Sequence, residues 1–217
     1  MTTATVNRAR GALTSAVTAL ALTTLTACSD GEQSAEAQIP AGRLCRGTLS
    51  DDAVNAVQLL TAAKEFAPIN AEAQPATTAQ DLVADYLADG TGGETHQLCA
   101  VHLPGRATSQ IDIDVTLEDA EGVGDSRFAN TFKQYDLGRE GLASPQKAVL
   151  YAECVSEKFR GSPVMLRAAL RNRHEPDGNP ERLRRANLTL LHSVTLALVK
   201  ELGCTARADL PETPELG

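Results

Sequence analysis

Ile111-Asp112-Ile113-Asp114-Val115-Thr116-Leu117-Glu118 alternates apolar and polar residues without a break over eight positions. That is the period of a half-buried β-strand, with one face in a core and the other polar. No helix fits the pattern, so the chain must build a sheet. Gln97–Leu103 reads as a second strand, with Cys99, Val101 and Leu103 on one side. Pro104-Gly105 then begins a short connection, which predicts an antiparallel hairpin with 111–118. After a Gly-rich loop at 121–142, Lys147–Val155 reads as a third strand. Val164, Leu166, Ala168 and Leu170 alternate with Met165, Arg167, Ala169 and Arg171 as a fourth, behind a turn at Phe159–Pro163.

Helices flank this sheet in sequence. Ser50 with Asp51 and Asp52 opens the first, with a cap residue and acids where the helix dipole favours them. Ala53, Ala56, Val57, Leu60 and Ala63 share its apolar face, and Phe66-Ala67-Pro68 is expected to close it. Following a loop at 68–76, Thr78 and Asp81 suggest a capping-box variant before Leu82, Val83, Tyr86 and Leu87, with Gly90–Gly93 as the stop. The last helix has the clearest signals: Asn179 as cap, Pro180 at the first helical position, a continuous apolar face through Leu202, and Gly203 as a left-handed stop. The order α-α-β-β-β-β-α predicts an α+β fold, an antiparallel sheet of about four strands with helices on one face and charged residues on the other.

The N-terminus addresses the chain. Arg8 and Arg10 precede an uncharged stretch, Gly11 to Thr24, and small residues lead into Cys28. This is the order of a bacterial secretion signal, to be set aside in reasoning about the fold. The stretch is short and threonine-rich for a membrane span of roughly 20 apolar residues. Leu25-Thr26-Ala27-Cys28 resembles the lipobox of bacterial lipoproteins. The resemblance implies cleavage before Cys28, diacylation of its sulfur, and a domain held by lipid at the outer face of the cytoplasmic membrane. Ser29–Ala41 is small, polar and acidic, so residues 28–43 read as a flexible tether. Residues 44–209 read as one domain and 210–217 as a disordered tail. Residues 1–27 carry two arginines and no acid, so their removal takes the net charge from −8 to near −10. That excludes a nucleic-acid footprint and leaves anchoring to the lipid.

With Cys28 assigned to lipid, Cys45, Cys99, Cys154 and Cys204 remain. An even count in an exported domain reads as two disulfides, and no Cys-x-x-Cys pair supports a metal site. Cys45 precedes the first helix and Cys204 follows the last, while Cys99 and Cys154 both fall in strands. That placement favours Cys45–Cys204 with Cys99–Cys154; the sequential pairing, Cys45–Cys99 with Cys154–Cys204, is the main rival.

Few residues point to chemistry. Ser144-Pro145-Gln146-Lys147 matches the Ser-x-x-Lys nucleophile motif, but it enters a strand rather than a helix and lacks Ser-Asp-Asn and Lys-Thr-Gly partners. There is no Gly-x-Ser-x-Gly, phosphate loop or dinucleotide fingerprint. His96, Cys99 and His102 alternate faces on a strand, which is awkward for a shared metal; solvent-facing histidines are expected. His192 reads as a boundary residue of the last helix, and His174 sits in a polar turn. Arg182, Arg184 and Arg185 read as a solvated face or as contacts for lipid phosphates and acidic neighbours. With no Trp, four Phe and three Tyr, the aromatic platforms of glycan binders are scarce. Asp112, Asp114 and Glu118 form an acidic stripe, Arg167 and Arg171 a basic one. Cross-strand pairing would make these a solubilising surface; the sharper reading is a binding face of Asp112, Asp114, Arg167 and Arg171.

Leu44-Cys45-Arg46-Gly47, Phe132–Gly138, Leu150–Ser156 and Leu196–Cys204 resemble a group of exported lipoproteins of streptomycetes and related actinobacteria. The abundance of Arg over Lys, with Ala, Leu and Gly, suits such a high-GC source. The resemblance spans roughly 44–210 and rests on cysteines and apolar stripes, so it implies fold and export and carries over no functional residue. The expectation is a lipid-anchored domain that binds a partner protein, envelope component or small ligand, without cofactor or metal. An envelope-acting hydrolase and a scaffold for a membrane complex are the alternatives.

Overall fold

A computed structural model describes residues 38–69, 73–118 and 131–217. The chain divides into two units, Met1–Ala35 and Glu36–Gly217, and the described residues all belong to the second. The signal segment, Cys28 and the start of the tether lie outside the described residues.

The elements run β1 (Ile39–Pro40), a 3₁₀ turn (Ala41–Gly47), α1 (Asp51–Thr61), β2 (Glu65–Phe66), α2 (Pro75–Asp89), β3 (His96–Val101), β4 (Ile111–Glu118), β5 (Lys133–Tyr135), β6 (Glu140–Ala143), β7 (Lys147–Val155), β8 (Pro163–Asn172) and α3 (Pro180–Leu202). The fold is α+β, as expected. The main sheet has six antiparallel strands in the order β3-β4-β8-β7-β6-β5, not about four. The two additional strands form a hairpin inside the stretch read as loop. Each is short, and pairing with the long β7 supplies the order that their own sequence does not. β1 and β2 make a separate two-stranded ribbon.

Alternation sets the two faces. Ile111, Ile113, Val115 and Leu117 of β4, Leu150, Ala152 and Cys154 of β7, and Val164, Leu166 and Ala168 of β8 are buried in the main core with the helices. α3 supplies the largest helical share, including Leu190, Leu191, Val194, Leu198 and Leu202, each fully covered. Its ends match the sequence: Asn179 accepts from the amides of Glu181 and Arg182, and Gly203 stops it at φ 69°. The opposite face is not uniformly charged. Leu142, Val149, Tyr151 and Met165 form a second apolar cluster there, with Phe132 and Ala169 against it. The paired charges lie on β4 and β8 of that face, and β7 adds exposed Lys147 and Glu153.

Helix starts and stops depart from expectation where tertiary contacts compete. α1 ends at Thr61, with Ala62 left-handed, and Phe66 belongs to β2 instead. α2 begins at Pro75, so Thr78 lies inside it and donates to the Gln97 carbonyl, 3.2 Å away, instead of capping.

The disulfides are Cys45–Cys99 and Cys154–Cys204, with Cα separations of 5.2 and 5.0 Å. This overturns the favoured pairing. β3 and β7 are three steps apart in the sheet, which at about 4.8 Å per step separates Cys99 and Cys154 by at least ~14 Å, and the register sets them further apart along the strands. A disulfide requires Cα atoms within about 7 Å.

The domain also extends past the expected limits of 44 and 209. Ala41 is buried at one end and Leu210 at the other. His192 Nε2 lies 2.8 Å from the Pro211 carbonyl, Glu212 pairs with Lys200 and Arg207, and Leu216 packs against the core, so the expected disordered tail is packed onto the domain.

Candidate functional site

The charged end of the outer sheet face is built by register. β4 and β8 pair antiparallel with Asp112 opposite Arg171, Asp114 opposite Ala169, Thr116 opposite Arg167 and Glu118 opposite Met165. The acidic and basic stripes therefore meet. Asp112 is almost wholly buried and sits in the closest network on the face. Arg173 Nη2 lies 2.9 Å and Arg171 Nη2 3.5 Å from its Oδ2, and the Ser109 hydroxyl donates to its Oδ1. Arg173 Nε in turn donates to Ser109 Oγ at 3.2 Å. Further along, Arg167 Nε is 3.4 Å from Glu118. Arg173 and Ser109 escape sequence reasoning because both lie just outside their strands; only the fold brings them to Asp112.

Asp114 differs from its neighbours. It makes no direct hydrogen bond or ion pair among the described residues, and its carboxyl is pushed above the usual range, first by partial burial and then by the Asp112 charge, against the pull of Arg171. Thr116, next along the same face, has a buried hydroxyl without a hydrogen-bond partner. A half-buried carboxylate with no direct protein partner among the described residues thus stands beside a buried hydroxyl that has none, next to the paired charges of Asp112 and Glu118.

The other residues singled out in the sequence scatter. His96 Nε2 lies 2.7 Å from Asp85 of α2, and its side chain is mostly covered, contrary to the solvent-facing expectation. A bulge at Gln97/Cys99 breaks the alternation of β3, and Cys99 is consumed in its disulfide. His192 is buried, not at a boundary; burial lowers its pKa and the Pro211 carbonyl opposes that shift. Ser144 Oγ accepts from the backbone amides of Gln146 and Lys147, which is a turn and not a nucleophile site. Of the arginine cluster, Arg184 and Arg185 pair with Glu181, which also accepts from Lys133 Nζ at 2.8 Å and Tyr135 Oη at 3.0 Å. The Lys133 bond first, then Tyr135, holds the Glu181 carboxyl down at about 2, while burial and that same bond raise Tyr135 to about 12.

Among the described residues no group of three or more His, Cys, Asp or Glu could hold a metal ion, and no helix is long and apolar enough to cross a membrane. Comparison with protein-family models, with curated proteins and with solved structures finds no match.

Proposed function

We propose that this is a lipid-anchored extracytoplasmic domain, attached through Cys28 at the outer face of the cytoplasmic membrane. It binds a partner protein, an envelope component or a small ligand over the β4–β8 surface. The observation that carries the reading is the buried, unpartnered Thr116 hydroxyl with the half-buried Asp114 carboxylate next to it, beside the saturated Asp112 network. A carboxylate held without a partner on a rigid sheet costs stability, and such costs concentrate where a site is used. The pair accepts hydrogen bonds, so the recognised group is an N–H or O–H donor, best a cationic one. Arg167 and Arg171 frame it, supported by Glu118 and Asp112 respectively.

The test separates binding from folding. Asp112→Ala is unsuitable, because it would leave Arg171 and Arg173 facing a buried gap. Asp114→Asn and Thr116→Val keep shape and remove the acceptors. A carboxyl with a raised folded-state pKa contributes stability below its ordinary pKa that is lost as pH rises through the folded value. At pH 7 Asp114→Asn should therefore leave the melting temperature unchanged or higher. In-cell crosslinking with quantitative mass spectrometry should show partners depleted in both variants relative to wild type. Equal recovery in all three would refute the assignment.

A further inference from the structure

Left-handed backbone runs through four consecutive residues after α3. Ala206, Arg207, Ala208 and Asp209 have φ of 47°, 52°, 56° and 59°, and none is glycine. L-residues visit this region singly, because their Cβ crowds the following carbonyl, so each of the four carries a conformational cost. Local bonding offsets little of it: the Arg207 amide donates to the Cys204 carbonyl at 3.3 Å and the Leu210 amide to the Arg207 carbonyl at 3.1 Å. Of the four side chains only Ala208 is buried.

The strain is trapped between two fixed points. Upstream, Cys204 is bonded to Cys154 of β7. Downstream, residues 210–216 lie across α3 as a strap. Leu210 is buried in the core, His192 Nε2 donates to the Pro211 carbonyl at 2.8 Å, and Leu216 packs against the core in part. Glu212 meets Lys200 at 3.2 Å, an exposed pair of the kind that contributes little. The seat is loose. Clefts of about 250 and 290 Å³ border the strap, one lined by Glu212 with His192 and Lys200, the other by Pro214 with Ala56 of α1 and Ala186 of α3.

Every seat of the strap is a feature that a second copy of the chain also carries. Extending Thr205–Asp209 removes the left-handed cost, and five residues span at most about 18 Å, enough to lift the strap off its own body. A short, strained hinge between a covalent tie and a detachable segment favours exchange of that segment between identical chains. In the exchanged pair each strap meets the same His192, Lys200 and α1–α3 seam on the other copy, and both hinges relax. We propose that two copies of this protein pair by exchanging residues 210–217, with Thr205–Asp209 as the hinge. The exchange requires neither the lipid nor the sheet face.

The test uses the full mature chain, warmed to just below its melting temperature, cooled, and read by native mass spectrometry at increasing concentration. Wild type should show a dimer whose fraction rises with concentration. Ala206→Gly with Asp209→Gly changes two exposed positions to a residue that accepts positive φ freely. It stabilises the closed hinge in both chains, so the association constant should fall at least about tenfold with no loss of melting temperature. Ala206→Pro, with φ locked near about −65°, should raise it. A mixture of Lys200→Cys chains with Glu212→Cys chains, treated with a short bismaleimide, should give a covalent heterodimer. Lys133→Cys in place of Lys200→Cys should give none, because Lys133 sits beside Glu181 at the other end of α3. The glycine pair and the crosslink decide the matter whether or not the proline variant folds. A wild-type chain that remains monomeric at every concentration overturns the proposal. So does a dimer insensitive to the glycine pair, or one without the link between positions 200 and 212.

Discussion

The two disulfides make a prediction that depends on their pairing and not merely on their number. Cys45–Cys99 closes a loop with a sequence separation of 54, and Cys154–Cys204 one of 50. In the chain-entropy account each removes about 4 kcal/mol of freedom from the unfolded chain. Replacing a matched pair with alanine, C45A/C99A or C154A/C204A, should therefore cost about 4 kcal/mol. Replacing one member of each, C45A/C204A, breaks both bridges and should cost about 8 kcal/mol, enough to unfold a domain of ordinary stability. Urea denaturation of the three variants measures the difference, with circular dichroism as signal. Under the rival pairing the order reverses, because C45A/C204A would then remove only one bridge. A C45A/C204A variant as stable as C45A/C99A would refute the topology as well as the pairing, since the six-strand order is what separates Cys99 from Cys154.

Other perturbations probe the interior. Asn172 is fully buried at the end of β8, donating to the Leu60 carbonyl at 3.1 Å and accepting from Gln110 Nε2 at 2.6 Å and the His174 amide at 3.2 Å. Asn172→Ala should cost about 3 kcal/mol in urea denaturation, since three polar groups lose their partner; a loss under about 1 kcal/mol would mean the network is not formed. His192 has a folded-state pKa depressed by burial, so the unfolded chain binds the extra proton first. Stability should fall as pH drops through the ordinary value of 6.5, by up to about 1.4 kcal/mol per pH unit, and His192→Gln should flatten that slope. Gly138 has φ +60°, and a Cβ there would lie 2.6 Å from the Tyr151 carbonyl oxygen. Gly138→Ala should cost about 3 kcal/mol through strain and loss of the Arg139 amide bond to that oxygen, read as a lowered melting temperature.

Long elements with strong local signals were legible in the sequence. The bounds of β4 and β7 agree with their alternation, and α3 starts at Pro180 and stops at Gly203 because its cap, proline and glycine act locally. The β5–β6 hairpin was not, because three- and four-residue strands carry too little alternation to be told from loop, and their order comes from β7. The cysteine pairing was hidden for a related reason: it depends on β8 inserting between β4 and β7, which no local pattern reports. At the candidate site, the Asp112–Arg171 encounter follows from stripes visible in the sequence. The lack of a direct protein partner for Asp114 does not, because Arg173 and Ser109 serve a different carboxylate. The packing of the tail was likewise concealed, since at Pro211 it rests on a buried histidine.

Consecutive pairing of the cysteines has a consequence for how the protein is made. On the proposed export route, with Cys28 taken up by lipid, a chain threaded through a membrane amino end first presents Cys45, then Cys99, then Cys154, then Cys204 as free thiols. An oxidant that joins each thiol to the next one to emerge produces the native bridges in order of appearance. The first can close while the last helix is still inside the cell. Correct oxidation then needs no reshuffling of mispaired intermediates, and maturation of this domain should proceed in cells that lack a disulfide isomerase.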